Sequence, residues 1–553
     1  MQEAVSLDAT QGVRGRLTRL ALHASAATPT LAEACFAALS ALLLLFAFPD
    51  FSAWPLAWVA FVPLLIIIAR RPRAPQSFLT GWLAGTIFFY ASCHWLTFPM
   101  IRYAAIPTPL AHVLLLPAAL AGGAFTALFA LALARLCARF SSAALFLAPP
   151  VWAACEWARL GVIGQLWNAV GYSQAFEPSL IQPARFGGVY AVGFLVLAFN
   201  AALAYALVER SARRTIKALS VVACVALVVF ASNFFTANFA SPTLKGEPAV
   251  IVVGVQPDII PDFNRTSSEY DALAAHHFEL SAAALRSIDE SDGGGSATVS
   301  KLPRVVVWPE SPMNFSFESD RAFRERVARF VAEQHASLLF NSLEPTGDGG
   351  GFNAAVLVNS EGRVAAQYDK IRLMPFGEYV PLPRWMPGAG FVRGVVGDFT
   401  PGTRYTLMPL GGSDGPRAGV FICLESAYPF ITRSFAAEGA DVLIEITNDA
   451  YQGDTAVMRQ HLSNAVFRAV ETGRTLLRVT NTGISARISP RGEVTDETGR
   501  FREAVRTWTV ARAVGEQTFY VRFGDAFVAA CSLVSVLMLA LTFRRRGKVQ
   551  SLT

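Results

Sequence analysis

Hydrophobic positions are unevenly spread along these 553 residues. Long apolar stretches fill both ends of the chain, and a region of mixed polarity, 247–515, lies between them. The stretches predict membrane-spanning helices near 31–48, 54–69, 78–97, 110–134, 143–160, 188–208, 218–236 and 525–543. A spanning helix needs about 20 apolar residues, so the first two have soft ends. Composition agrees with a membrane setting. Hydrophobic residues make up 53% and charged residues only 16%, against about 25% charged in an ordinary soluble chain. The mean hydropathy is +0.40.

The loop charges predict orientation. Arg14, Arg16 and Arg19 precede the first span, and Arg70, Arg71 and Arg73 follow the second. Arg135 and Arg139 follow the fourth, and Arg210, Arg213, Arg214 and Lys217 separate the sixth from the seventh. Arg544, Arg545, Arg546 and Lys548 close the chain. Every second loop is thus basic. The positive-inside rule then puts both termini in the cytoplasm and 247–515 outside it. The expected organisation is a cytoplasmic segment 1–30, a seven-span membrane domain 31–236, an extracytoplasmic domain 247–515, a last span 525–543 and a tail 544–553. The net charge of +6 lies largely in these loops and calls for no nucleic acid. The first span follows a polar stretch and reads as an uncleaved anchor.

Within the polar region, short Val/Ile/Leu-rich runs flanked by turn residues predict strands at 249–255, 304–308, 337–341, 353–359, 363–369, 419–423 and 441–446. Helical patterns cover 267–288, 320–334, 429–438 and 454–472. Strands alternating with helices predict a layered α/β domain. The Gly-rich run at 292–296 reads as a surface insertion.

Candidate chemistry sits at strand ends. Six of the seven cysteines fall in or against apolar stretches; Cys423 alone lies in the polar region, after Gly419-Val420-Phe421-Ile422. A lone cysteine is more often a small buried hydrophobe than a nucleophile. Two other strand ends change that balance: Glu310, in Trp308-Pro309-Glu310, and Lys370, in Tyr368-Asp369-Lys370. A thiol is mostly protonated near neutral pH and needs a base or a cation to become nucleophilic. Glu310 suits the base. Lys370 suits stabilisation of the thiolate and then of an oxyanion, with the backbone N–H of Leu424 as a second donor.

Glu, Lys and Cys in this order at strand ends resemble the nitrilase (carbon–nitrogen hydrolase) superfamily. Together with the flanking spans, the chain resembles the apolipoprotein N-acyltransferase family. The motifs that carry this are Trp308-Pro309-Glu310, Tyr368-Asp369-Lys370, Gly377-Glu378-Tyr379-Val380-Pro381, Ile422-Cys423-Leu424-Glu425 and Thr447-Asn448-Asp449-Ala450. In the spans they are Glu156-Trp157-Ala158-Arg159, Gly171-Tyr172-Ser173 and Gly187-Gly188-Val189-Tyr190. The resemblance implies an αββα sandwich and a triad of Glu310 as base, Lys370 as oxyanion stabiliser and Cys423 as nucleophile. Glu378, Glu425 and Gln256 would support it. It implies a bacterial inner-membrane acyltransferase of lipoprotein maturation. A membrane phospholipid would be the acyl donor and a diacylglyceryl-apolipoprotein the acceptor, with no cofactor and no metal. Leu424 departs from the family's usual Tyr, and Gly164-Gln165-Leu166-Trp167 from its Gly-Phe-Pro-Trp.

Two rival readings use the same residues differently. A membrane-tethered amidase or nitrilase would hand the acyl group to water. A transporter or scaffold would use 247–515 as a binding module, although Glu156 and Arg159 read as a local i, i+3 pair near a span end. His276 and His277 are adjacent on a predicted surface helix and do not share a face, which argues against a metal site. The apolar, Gly/Pro-rich stretch 381–399 fits either a mobile arm that touches the bilayer or an ordinary buried loop.

Overall fold

The structure, a computed structural model, describes residues 28–238, 247–262, 264–292, 302–311, 315–347, 349–381, 385, 399–513 and 515–544. The segment 1–27, most of the 292–296 insertion and most of the 381–399 stretch lie outside the described residues. Of that last stretch only Pro381, Trp385 and Phe399 are described.

Helices occupy all the apolar stretches, with shifted ends: α1 (Leu31–Ala47), α2 (Val62–Arg70, after a short helical lead-in from Trp54), α3 (Ala74–Ser92), α4 (Thr108–Phe140), α5 (Ala148–Ile163), α6 (Ala184–Glu209) and α7 (Ala212–Asn238). The last, Ala526–Phe543, closes the described chain. Among the described residues four helical stretches are long and apolar enough to cross a membrane: Thr108–Ile163, Ala184–Glu209, Ala212–Asn238 and Ala526–Phe543. Thr30 starts α1 because its hydroxyl accepts from Glu33 N–H while Glu33 reaches back to Thr30 N–H at 2.8 Å. Helices α3 and α4 pack through glycines. A Cβ on Gly85 would sit 2.8 Å from the Gly123 Cα, so only small residues permit this approach.

The polar region folds as two six-stranded sheets. The first comprises β1 (Pro248–Gln256), β2 (Arg304–Val307), β3 (Ser337–Pro345), β4 (Gly351–Val358) and β5 (Val364–Asp369), with β12 (Ala504–Ala511) on its edge beside β1. The second runs from β6 (Leu407–Pro409) through β7 (Arg417–Ile422), β8 (Val442–Thr447), β9 (Thr475–Thr480) and β10 (Ala486–Ile488) to β11 (Val494–Thr495). In each sheet the three central strands are parallel: β1–β2–β3 and β7–β8–β9. Side chains alternate along these strands. Val250, Val252, Val305, Val307 and Leu339 therefore meet the second sheet in one core with Val420, Ile444 and Leu476. Ile251, Val253, Val306 and Leu338 point the other way, onto α8 (Ser267–Asp292) and α9 (Arg321–Glu333), where Leu285, Val327 and Phe330 cover them. Helices α10 (Pro429–Ala437) and α11 (Val457–Thr472) contact the second sheet. The layers are α, β, β, α, as the resemblance implied.

Several details differ from the sequence reading. Strands β6 and β9–β12 are additional. β9 is buried at all six positions, so its sequence has no alternation to reveal it. β12 finds its partner β1 about 250 residues away, an antiparallel pairing that no local pattern announces. His277 is buried, its ring 4.9 Å from that of Trp308, so the helix carrying it is not merely a surface element. Glu156 and Arg159 are buried too, and they hold the loop that follows α5 rather than serving as a simple surface pair. Glu156 accepts from Val170 N–H at 2.7 Å, and Arg159 donates to the Trp167 carbonyl at 2.7 Å.

The sandwich sits on the helices through α11. Gln460 accepts from Trp95 Nε1 at 3.1 Å and Trp167 Nε1 at 2.9 Å, and donates to the Ser92 carbonyl at 3.0 Å. About three helical turns further along, Glu471 accepts from Val189 N–H at 2.8 Å. That N–H is available because α6 is broken at Gly187-Gly188, where Gly188 takes φ +64°. A Cβ there would be strained and would meet the Tyr520 ring at 2.9 Å. Arg468 neutralises Glu471 at 2.8 Å with both side chains fully buried. Removing one member of a buried pair strands the other's charge, at about 3–5 kcal/mol. Glu471→Ala is therefore expected to lower the apparent melting temperature of the detergent-solubilised chain sharply. Glu471→Ala paired with Arg468→Met should recover much of the loss, and thermal unfolding of both variants checks this.

Candidate active site

Four strand ends deliver the site. Glu310 follows β2, Asn353 lies near the start of β4, Lys370 follows β5 and Cys423 follows β7. Lys370 is 1% exposed. Its ammonium donates to Glu378 Oε1 at 2.8 Å and to Glu310 Oε1 at 3.2 Å. Burial alone pulls a lysine's proton affinity down, but here Glu310 and Glu378 outweigh it and hold the ammonium well above the usual lysine range. Lys370 is thus a cation locked between two carboxylates.

Both carboxylates are themselves held. Glu310 Oε2 accepts from Asn448 N–H at 3.2 Å, and Glu378 Oε2 accepts from Met374 N–H at 2.7 Å. Asn353 donates from one amide nitrogen to Glu310 at 3.0 Å and to Glu378. Its own carbonyl oxygen accepts from Asn341 at 2.7 Å. Of Asn353, Asn341 and Asn448, the sequence reading named only Asn448, within the motif Thr447-Asn448-Asp449-Ala450 and without a role. A signal was present for two of them. Asn353 shares strand parity with Ala355 and Leu357, and Asn341 with Leu339, all on the inter-sheet face. A polar residue in phase with a sandwich interior needs a buried partner.

Cys423 occupies a left-handed backbone conformation, φ +53°, between β7 and the helical turn Cys423–Ala427. Such a conformation is costly for a residue with a Cβ and persists only where surroundings impose it. The thiol is half-buried. Burial raises its pKa, the Glu310 carboxylate raises it further, and Lys370 only partly opposes them, so the group stays well above the usual thiol range. The resting residue is a neutral thiol beside a carboxylate and an ammonium. Leu424 follows directly in the same turn.

Glu425 joins two of these loops. Fully buried, it accepts from Tyr368 Oη at 2.7 Å, Ile371 N–H at 2.8 Å and Arg372 N–H at 3.0 Å on the lysine side. Its other oxygen accepts from Ile422 N–H at 2.8 Å on the cysteine side. It is the clamp that sets Lys370 and Cys423 relative to each other. Gln256 is placed differently. Its amide donates to the carbonyls of Gly499 and Arg502 at 2.9 and 2.8 Å. Its oxygen accepts from Thr480, Ser485 and Thr498 at 3.0, 2.6 and 2.8 Å. None of these is Glu310, Lys370 or Cys423, so Gln256 secures the end of β1 rather than the reacting groups. Among the described residues no cluster of His, Cys, Asp and Glu has the makings of a metal site.

Comparison with known proteins bears on what this arrangement belongs to. The family model of the apolipoprotein N-acyltransferase N-terminal domain matches residues 40–202, and that of carbon-nitrogen hydrolase matches 303–520. An apolipoprotein N-acyltransferase of Geobacter metallireducens is 31% identical over 92% of this chain and 95% of its own length. The chain belongs to the apolipoprotein N-acyltransferase family. A second member, from Pseudomonas putida, is 30% identical over 83% of this chain and 87% of its own. Among solved structures, an amidase from Nesterenkonia sp. covers 51% of this chain and 96% of its own, with 19% identity and a TM-score of 0.36. The carbon-nitrogen hydrolase match begins at Pro303 and so omits β1, although β1 lies between β12 and β2 in the first sheet.

For this N-acyltransferase sandwich the clamp yields a direct expectation. Glu425→Gln puts an amide N–H against backbone or phenol donors. A hydrogen bond to a charged group is worth about 1.5–3 kcal/mol, and losing it should destabilise by that order. The variant is expected to melt at lower temperature and to change the alkylation rate of the Cys423 peptide by iodoacetamide. Thermal unfolding and peptide mass spectrometry measure both.

Proposed function

We propose that this chain is a phospholipid-dependent N-acyltransferase of lipoprotein maturation, with Glu310, Lys370 and Cys423 as its catalytic triad. Family membership supports the reaction class. The observation that carries the residue assignment is the buried Lys370 ammonium, shared by Glu310 and Glu378 beside the Cys423 thiol.

The reaction runs in two halves. Glu310 accepts the Cys423 proton as the sulfur attacks an acyl ester carbonyl of a membrane phospholipid. The tetrahedral oxyanion forms against the Lys370 ammonium and the Leu424 backbone N–H. Collapse breaks the ester C–O bond, Glu310 returns the proton to the leaving alkoxide, and a lysophospholipid departs. The thioester then meets the free α-amine of an N-terminal diacylglyceryl-cysteine. Glu310 takes a proton from the attacking amine, the amide C–N bond forms, and the thiolate leaves to recover its proton. Glu378 keeps Lys370 in place through both halves, and Glu425 keeps Lys370 and Cys423 in register.

Because the resting thiol is held protonated, Glu310 has to remove its proton during attack. Both substrates are lipid-anchored, which suits a sandwich seated on apolar helices rather than one free in solution. The basic loops support eight spans, cytoplasmic termini and 247–515 on the extracytoplasmic side of the bacterial inner membrane. A cysteine introduced at the exposed Val364 should react with an impermeant maleimide applied to intact cells, and one introduced at Lys217 should not; the reverse pattern overturns this orientation.

Incubating the purified chain with phospholipid and no acceptor tests the chemistry. A fatty-acyl mass is expected on the Cys423 peptide, cleared by hydroxylamine or by a diacylglyceryl lipopeptide, and absent in Cys423→Ala. Lipid binding without any such adduct would refute the acyl-enzyme.

A further inference from the structure

Beneath the nucleophile lies a second buried cluster that the triad chemistry does not use. His461, on α11, is buried. Its Nδ1 lies 2.7 Å from Asp449 Oδ1, and its Nε2 lies 3.0 Å from the Cys423 carbonyl oxygen and 3.1 Å from Glu445 Oε1. Arg478, on β9, bridges the same two carboxylates, with Nη2 at 2.7 Å from Asp449 Oδ2 and Nη1 against Glu445. Both carboxylates and both cations are buried.

All three atoms around the ring are acceptors. A neutral imidazole carries one N–H, so either tautomer would aim a lone pair at an oxygen. With Nδ1–H, the bare Nε2 would face the Cys423 carbonyl and Glu445; with Nε2–H, the bare Nδ1 would face Asp449. Only the doubly protonated ring donates to both Asp449 and the Cys423 carbonyl, and it then stands as a cation 3.1 Å from Glu445. Charge balance agrees: Glu445 and Asp449 against Arg478 alone leave one uncompensated buried negative charge, which the imidazolium cancels.

We propose that His461 is a positioning residue, an obligate imidazolium whose Nε2–H holds the Cys423 carbonyl and thereby keeps the nucleophile in its left-handed turn. The link is directional. The φ of +53° at Cys423 needs an external restraint, and the hydrogen bond from His461 falls on that residue's own carbonyl. The neighbouring Gln460 is anchored by Trp95 and Trp167 of the helical domain, and the Trp167 ring lies 5.6 Å from that of His461. The nucleophile's turn is thus referenced to the membrane helices through two consecutive residues of α11. The inference rests on the assignment of Cys423 as nucleophile.

The groups facing the ring are Asp449 from the turn after β8, Glu445 from β8, Arg478 from β9 and the Cys423 carbonyl from the turn after β7. Burial and Arg478 lower the affinity of His461 for its proton, but Asp449 and Glu445 raise it further, to about 9. The folded value lies above the unfolded one near 6.5. The stabilisation is therefore complete below about pH 6.5 and is lost as pH rises through about 9. Lys370, held well above its usual range, loses its proton at higher pH still.

The test uses the full chain in phospholipid micelles and two readouts: kcat and KM for lysophospholipid release, and the iodoacetamide alkylation rate of the Cys423 peptide, from pH 6 to 10. His461→Gln is expected to lower kcat and alkylation by about tenfold at pH 7 with KM unchanged. The wild type should lose kcat above about pH 9. Glu445→Gln, which removes one carboxylate facing the ring, should move that loss to lower pH. Wild-type kcat and alkylation in folded His461→Gln would overturn the proposal. If that variant fails to fold, an alkaline limb in Glu445→Gln coincident with the wild type's would overturn it instead. Alkylation needs no substrate, so it reports on the turn even if the acyl-transfer reading fails.

Discussion

A lysine taken out of water organises the site. Removing an ammonium from solvent costs several kcal/mol unless opposite charge replaces its hydration. Lys370 has two carboxylates within hydrogen-bonding distance, and they overcompensate it by one negative charge. That excess is in turn spread over Asn353, Met374 N–H and Asn448 N–H. The ends of β2, β4, β5 and β8 must therefore converge for any one of these groups to be tolerable. The thiol bears the consequence: burial and the neighbouring carboxylate hold its pKa well above the usual thiol range.

The same logic appears at the seam with the membrane helices. Glu471 and Gln460 are buried polar groups on one helix; Arg468 of that helix balances the charge of Glu471, and the other part of the chain supplies a broken helix end at Val189, two tryptophan N–H groups and a backbone carbonyl. Apolar contact alone would let the sandwich slide over the helices, because it has no direction. Hydrogen bonds to buried groups do have direction, and leaving them unmade is expensive. The motifs Gly187-Gly188-Val189-Tyr190 and Glu156-Trp157-Ala158-Arg159 thus read as parts of this seat and of the loop beside it. This explains why a hydrolase-like sandwich keeps a fixed height relative to apolar helices.

Much was legible from the chain alone. Long apolar stretches announce their helices because only length and hydropathy matter there. The parallel strands β1, β2, β7 and β8 announce themselves as short branched-aliphatic runs, and Glu310, Lys370 and Cys423 stand out because each ends such a run. The remaining strands were harder. β9 carries no alternation, and β12 depends on a partner near the other end of the domain. Asn353 and Asn341 were visible only as polar residues in an inward phase.

The sequence by itself determined the two-part organisation, the layer type and the identity of the three strand-end residues, because periodicity, hydropathy and motif order are properties of neighbouring positions. Tertiary structure alone decided which polar groups share a proton or a charge. It assigned Gln256 to a strand end, made Glu425 a clamp, turned Glu156 and Arg159 onto a loop, and brought His461 under Cys423 from 38 residues away. Charge and hydrogen-bond energies depend on distance and burial, and both are set only when remote segments close on one another.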